Sequence, residues 1–452
     1  MKKRNTSKFD VDGIPPLREA LPLGLQHLMA MIVGNMVPAI LISNIVGLDQ
    51  QKSTMLIQGA MLVAGIATLI QLYPIPLFKG YKLGARLPLI MGTSYVFLGA
   101  WLSVGAQYGL PALFGAQIGG AIVVFFVGFG MKKIRHIFTP VISGTIIACM
   151  GLSLFPTAIK NFAGGEGSPI FGNPINFVIG SIVGIIIIFL MRFGKGLYKD
   201  ASILIGIVAG YIISLAFGMV DFSAVQGASL VSLPAPVAFG LEFRIDLILM
   251  FAAIYIIAIA DMMGAATMAT IGAMDREVTD EELASIVLGN SISSLVASIF
   301  SSMPTGIFSQ NTAIVSINKV TSRYVMAIAS VILLFIGISP MLGALVTTIP
   351  SCVVGGATLV VFSSIAIAGF EIINIDGFNP ENNLISGVAI AASIGLTSVP
   401  EVLGKFPEFI KTLVGDSSIV SGAIIALLLK YVFGIIQRKS NNSKSKTTEN
   451  VG

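Results

Sequence analysis

Asp261 is the exception among 22 Asp and Glu residues: it lies deep in an apolar stretch, AIYIIAIADMMGAAT, whereas nearly all the others fall in loops or at the ends of such stretches. A charged side chain at mid-membrane costs ~2.5–3.5 kcal/mol on insertion scales, so a chain that keeps one there is expected to use it. Such a carboxyl suits proton uptake or the holding of a hydrogen-bonding substrate. The plainer alternative is a structural Asp paired with a nearby backbone or amide group. His27, one of two histidines, lies in another apolar stretch, LGLQHLMAMIVGN, with Gln26 and Asn35 close by. Packing and functional roles are equally compatible with it. His136 follows Lys132, Lys133 and Arg135 and reads as a boundary residue without a role.

Residues 301–315, SSMPTGIFSQNTAIV, set a Pro, a Gly and a polar run ending in Ser309, Gln310 and Asn311 between two apolar spans. Backbone that is not helical at membrane depth is tolerated only where it is buried in protein or lines a cavity. Polar groups there mark a substrate path. A weaker echo occurs earlier, where PLIMGTSY begins at Pro88 and ends in Ser94 and Tyr95. Paired Gly/Pro-interrupted segments at matching positions of two halves point to a transporter site. Their separation, about seven spans, is odd, so the second half would run inverted. Tyr95 and Phe97 follow the break at Gly92. Rings beside a hydrogen-bonding cluster suit a flat polar heterocycle, with faces stacking and edges bonding.

The elements that must position these residues are membrane helices. The 452 residues are 55% hydrophobic and 11% charged, with a mean hydropathy of +0.92; soluble domains carry about 25% charged residues. Hydropathy gives about fourteen spans, the first starting near Leu23 and the last near Ile419. With a cytoplasmic N-terminus, most of the 27 Lys and Arg fall inside; only Lys52, Lys160, Arg244, Lys405 and Lys411 fall outside, and Lys430 lies within the last span. This follows the positive-inside rule. It predicts both termini in the cytoplasm, and it attributes the net charge of +5 to topology rather than to a nucleic-acid partner. The N-terminus, MKKRNTSKFD, lacks an apolar h-region, so no signal peptide is expected. No soluble domain is expected either, and the tail 438–452 reads as disordered. Residues 275–282, DREVTDEE, read as a solvated connector. Cys149 and Cys352 sit in apolar surroundings and read as small core residues. The 49 glycines, in pairs such as Gly119-Gly120, suit helix packing. No nucleophile–base pair, phosphate loop or zinc signature is present, so neither enzyme activity, a cofactor nor a bound metal is expected.

Over nearly its full length the chain resembles the nucleobase–ascorbate transporters, also called nucleobase–cation symporters. Their signature is Gln or Glu, Asn, one residue, Gly, four residues, Thr, then a basic residue or Gly. Gln310, Asn311 and Lys319 fit it; Ala313 replaces the Gly and Asn318 the Thr. Further matches are Gln26-His27, Gly92-Thr93-Ser94-Tyr95 and Ser322-Arg323-Tyr324. The resemblance implies an all-α polytopic membrane protein of about fourteen spans in two inverted halves, with short strands in the third and tenth. It implies a core domain, 20–131 with 245–346, and a gate domain, 134–218 with 352–437, often the dimer interface. Asp261 takes the place of a substrate-binding Glu with one methylene less reach. Ala265 and Asn290 stand where relatives carry Asp.

The expected substrate-binding residues are Asp261, Gln310, Tyr95, Ser94, Asn311, Ser309 and Phe308. His27, Asp261 and Asn290 are the candidates for proton coupling or core support. A carboxamide at 310 offers both donor and acceptor, and Gln there is typical of the purine branch. The Tyr95 hydroxyl would narrow the site or bond a substrate oxygen. The expected function is import of a nucleobase, an oxopurine of the xanthine or urate type, by proton symport across the cell membrane, by a homodimer. The alternatives are a uracil or other nucleobase permease, or an anion carrier of the same architecture.

Overall fold

In a computed structural model the protein is described for residues 8–449, apart from 79, 135, 136, 138, 378, 408, 409 and 416. His136 therefore lies outside the described residues. The long helices are α1 (Leu17–Val46), α2 (Gln50–Leu72), α3 (Leu98–Gly128), α4 (Pro140–Ser153), α5 (Phe155–Phe162), α6 (Pro174–Phe193), α7 (Ser202–Ala216), α8 (Ile245–Met274), α9 (Asp280–Ile299), α10 (Ser309–Asn318), α11 (Arg323–Gly337), α12 (Pro340–Thr347), α13 (Ser351–Ile373), α14 (Pro380–Ser398) and α15 (Ser418–Glu449). Four short strands occur: β1 (Ile75–Pro76), β2 (Lys82–Leu83), β3 (Met91–Thr93) and β4 (Thr305–Ile307).

Among the described residues, 9 helices are long and apolar enough to cross a membrane, or up to 10 if α11 and α12, bent by 82°, form one span. The expected fourteen crossings are not recovered by length and composition alone. The reason is visible in the tenth expected span, which is a 3-residue strand followed by a 10-residue helix. The expected strands are present, and they pair. β3 and β4 run antiparallel with Met91 opposite Ile307, Gly92 opposite Gly306 and Thr93 opposite Thr305.

Two compact units divide the chain. One comprises Met1–Arg135 and Leu154–Ser363, the other His136–Ser153 and Ser364–Gly452. These boundaries differ from the expected core and gate, because α6 and α7 fall in the first unit and α13 runs through both. The second unit has its own core of Val141, Ile385, Ala389 and Ala426. There Cys149 lies buried with its Sγ 3.1 Å from Ser393 Oγ, and Cys352 of the first unit is buried and free as well. α15 continues as helix to Glu449, so the tail expected to be disordered from 438 is helical up to that residue. No Gly or Pro from 435 to 449 stops it.

Local sequence explains the helix ends that matter for the site. α1 stops at Gly47, whose φ of 68° forms a left-handed cap on the Ser43 carbonyl. α9 begins with a capping box: Thr279 accepts from the Glu282 N–H, and the Glu282 side chain accepts from the Thr279 N–H. Arg276 then holds Glu282 through both guanidinium nitrogens, at 2.8 and 2.6 Å. Thr279→Ala is expected to lower stability by about 1 kcal/mol, read as a lower midpoint in thermal unfolding of the purified protein.

Candidate substrate site

The site grows from the two paired strands. A two-stranded sheet has open edges on both sides, and in a membrane those edges need partners from the protein. Buried side chains supply them. Thr68 Oγ1 accepts from the Met91 N–H at 2.9 Å and donates to the Met91 carbonyl at 3.2 Å. Asn35, wholly buried, accepts from the Thr93 N–H at 2.8 Å and donates to the Ala60 carbonyl at 2.8 Å. On the other strand, Ser294 Oγ accepts from the Thr305 N–H at 3.1 Å, and Thr305 Oγ1 donates to Asn290 Oδ1 at 2.8 Å. Asn290, expected from the resemblance at a family carboxylate position, is thus placed on the β4 edge.

Glycines let the strands and rings come close. A Cβ on Gly92 would lie 2.5 Å from the Phe308 ring and 2.9 Å from Asn35 Oδ1; one on Gly306 would lie 2.8 Å from Ser94 Cβ. The buried Phe308 ring therefore packs against the strand crossing at Gly92, and also against Gly34, where a Cβ would meet it at 3.0 Å. Ser94 is buried and tied by its N–H to the Pro304 carbonyl at 2.8 Å.

Tyr95 corrects one expectation. Pro38 lies inside α1 and has no N–H to give the Gly34 carbonyl four residues earlier. The Tyr95 hydroxyl takes that place, donating to Gly34 O at 2.7 Å. It is thereby committed to the fold rather than open to a substrate oxygen. Its ring meets Phe362 edge to face, with centroids 5.9 Å apart.

Asn311 and His27 form a buried pair, both under 3% exposed. Asn311 Nδ2 donates to the His27 carbonyl at 2.8 Å and lies 3.2 Å from Nδ1. The amide hydrogens face both atoms, so Nδ1 accepts and the ring proton sits on Nε2. Asn311 Oδ1 is buried with no hydrogen-bond partner among the described residues.

The remaining candidates are open. Past the strands, α10 starts at Ser309, which is exposed, and Gln310, which is half-buried. Asp261 is half-buried midway along α8. Among the described residues none of these three side chains makes a hydrogen bond or ion pair. Gly264, three residues from Asp261 and so on the same face of α8, borders open space: a Cβ there would meet nothing within 4 Å, as at Gly99 at the start of α3. α8 packs against the 3-10 turn Tyr95–Phe97, β4 and α10. Phe97 anchors it, with centroids 4.5 Å from Tyr255 and 6.2 Å from Phe251, all three fully buried. The helix that bears Asp261 thus runs beside both strand–helix junctions.

Sequence reasoning missed Asn35 as a strand tie, Thr68, Phe362 and the Pro38–Gly34 pair. Only Pro38 carried a usable signal, a proline inside a span with its freed carbonyl in need of a donor.

A family model described as a permease family matches residues 18–402. The chain is 33% identical to uric acid permease PucK of Bacillus subtilis over 430 residues, covering 94% of this chain and 98% of that one. It is 31% identical to the xanthine permease of the same organism over 422 residues, covering 93% and 95%. Its fold is similar to that of murine solute carrier 26 family member A9, an anion transporter in the inward-facing state: the TM-score is 0.63 at 12% identity, covering 92% of this chain and 68% of that one. That fold has a core and a gate domain. With the family model spanning most of the chain and relatives above 30% identity along almost all of it, this multi-pass membrane protein belongs to the nucleobase–ascorbate transporter family.

Proposed function

We propose that the protein imports an oxopurine nucleobase, of the xanthine or urate type, by proton symport across the cell membrane. The observation that carries this reading is the group of open polar side chains, Asp261, Ser309 and Gln310, left without protein partners beside a framework in which nearly every other polar group is tied. Gln310 offers a donor and an acceptor to the mixed edge of an oxopurine. Asp261 accepts from a ring N–H. The Phe308 ring supplies an apolar wall against which a heterocycle stacks. His27, Asn290, Ser94 and Asn311 hold the frame.

Proton coupling follows from the same carboxyl. Ala265 and Asn290 cannot titrate and His27 is buried against Asn311, which leaves Asp261 as the ionisable candidate open to the substrate. Taking up a proton adds an O–H donor while the carboxyl's other oxygen still accepts the ring N–H, so one group holds both substrate and proton. The core, 20–131 with 245–346, carries them past the gate, 134–218 with 352–437, and the protein works as a homodimer with both termini in the cytoplasm. The relatives named for xanthine and uric acid favour the purine reading over uracil.

Uptake of radiolabelled xanthine, urate, uracil, guanine and adenine, with and without a protonophore, tests this. The expected result is saturable uptake of xanthine or urate that the protonophore abolishes. Chloride or bicarbonate flux without binding of any base would replace the proposal with an anion carrier.

A further inference from the structure

The chain ahead of α1 is not a free end. The Phe9 carbonyl accepts from the Thr321 N–H at 2.9 Å and from its hydroxyl at 3.2 Å. The Val11 carbonyl accepts from the Arg323 N–H at 3.1 Å, and the Gly13 carbonyl from Ser322 Oγ at 2.7 Å. Residues 9–13 form a turn, closed by the Gly13 N–H on the Asp10 carbonyl at 2.7 Å, that presents the carbonyls of 9, 11 and 13 to residues 321–323. Phe9 also packs with Ala20, Val320 and Val325.

Asp12 lies in the middle of this segment and reaches two guanidinium groups. Its Oδ2 accepts from Arg86 Nη2 at 2.6 Å, and its Oδ1 accepts from Arg323 Nη2. The Arg86 hydrogen bond, with Arg323 adding to it, holds its carboxyl below the usual Asp range against the opposing effect of burial. The two arginines belong to the two halves of the site. Arg86 has a left-handed backbone, φ 60°, and its N–H bonds the Gln71 carbonyl. It thus turns the chain toward β3. Arg323 opens α11 just beyond the loop that leaves α10, and it also donates to the Leu72 carbonyl at the end of α2 at 2.8 Å. One carboxylate therefore joins the approach to the first strand with the exit from the second half-helix.

We propose that residues 9–13 act as a clasp, and that Asp12 is a positioning residue that keeps β3 and α10 in the spacing the substrate needs, from outside the site. This rests on the transport reading above. Asp12 touches neither strand; it acts through Arg86 and Arg323.

The test is Asp12→Asn, with Asp12→Glu, Arg86→Gln and the double variant Asp12→Asn/Arg86→Gln, each compared at equal protein in the membrane. Two readouts are taken: KM against maximal rate for xanthine uptake, and amide hydrogen exchange of the purified protein. Loss of the clasp is expected to raise KM several-fold with little change in maximal rate, the pattern of weakened substrate binding. Asp12→Glu should restore most of it. The double variant should be no worse than the worse single, since both remove one interaction. Exchange should quicken at 91–93 and 305–307, not only at 9–13. An unchanged KM together with exchange confined to the arm would overturn the proposal. If the wild type moves no nucleobase, the transport reading fails, and exchange at the two strands alone still decides for or against the clasp.

Discussion

Asp261→Asn is expected to lower the affinity for the transported base by roughly ten- to hundredfold, and to remove the protonophore sensitivity of whatever uptake remains. The first part follows from the carboxyl's isolation. The Asp261 side chain makes no hydrogen bond or ion pair among the described residues, so its exchange for an isosteric amide breaks no contact of the fold. What it removes is a charged acceptor for a substrate N–H. Hydrogen bonds to charged groups are worth about 1.5–3 kcal/mol, and every ~1.4 kcal/mol is tenfold in affinity. The second part follows from the absence of another ionisable group in the position: an amide cannot carry a proton in and leave it behind. Expression and thermal stability should match the wild type. Uptake kinetics over a pH series, with and without protonophore, check both parts. Unchanged uptake and an unchanged pH profile would make Asp261 a structural residue.

Gly92→Ala should cripple transport through geometry rather than chemistry. The added methyl would lie 2.5 Å from the Phe308 ring and 2.9 Å from Asn35 Oδ1, both closer than carbon or oxygen tolerates. One of two things must give. The ring swings off the crossing, removing the wall the base stacks on, or Asn35 lets go of the Thr93 N–H and frees the strand edge. Overpacking of this kind costs about 1–3 kcal/mol. The expected result is a raised KM, with a lowered thermal midpoint in the purified protein. Gly387→Ala is the control. A methyl there meets nothing within 4 Å, and Ala is the better helix former, so this variant should behave as the wild type. If Gly92→Ala does so too, the close packing of the crossing does not set substrate binding.

Much of this was legible in the chain. Apolar runs and the one-sided placement of Lys and Arg give a membrane protein, because burying a charge in lipid is so costly that composition records it. Pro and Gly inside the third and tenth spans marked both breaks, since few other residues interrupt a helix at that depth, and the family resemblance made strands of them. Asp261 and Gln310 were also noticed, the first as a carboxyl at membrane depth and the second in a polar break that fits the family signature; that neither side chain has a partner among the described residues is a finding of the structure. Roles inside the frame were harder to read. Asn35 is an unremarkable residue in a long span, and nothing local says that it reaches Thr93, 58 positions away. Asn290 drew notice only through a family position, and its bond to Thr305 depends on how α9 packs against β4.

Tyr95 shows the limit most clearly. Its position after the break is local information, but the fate of its hydroxyl depends on a proline in another span. The number of crossings has the same character, because a strand followed by a short helix has the hydropathy of a span without its length. By itself, then, the sequence determined the medium and the breaks, both of which follow from local cost and periodicity. The tertiary structure alone decided which polar groups are consumed in holding the crossing strands and which stay open, because a hydrogen bond between distant spans is fixed by packing and has no signature in the order of the residues.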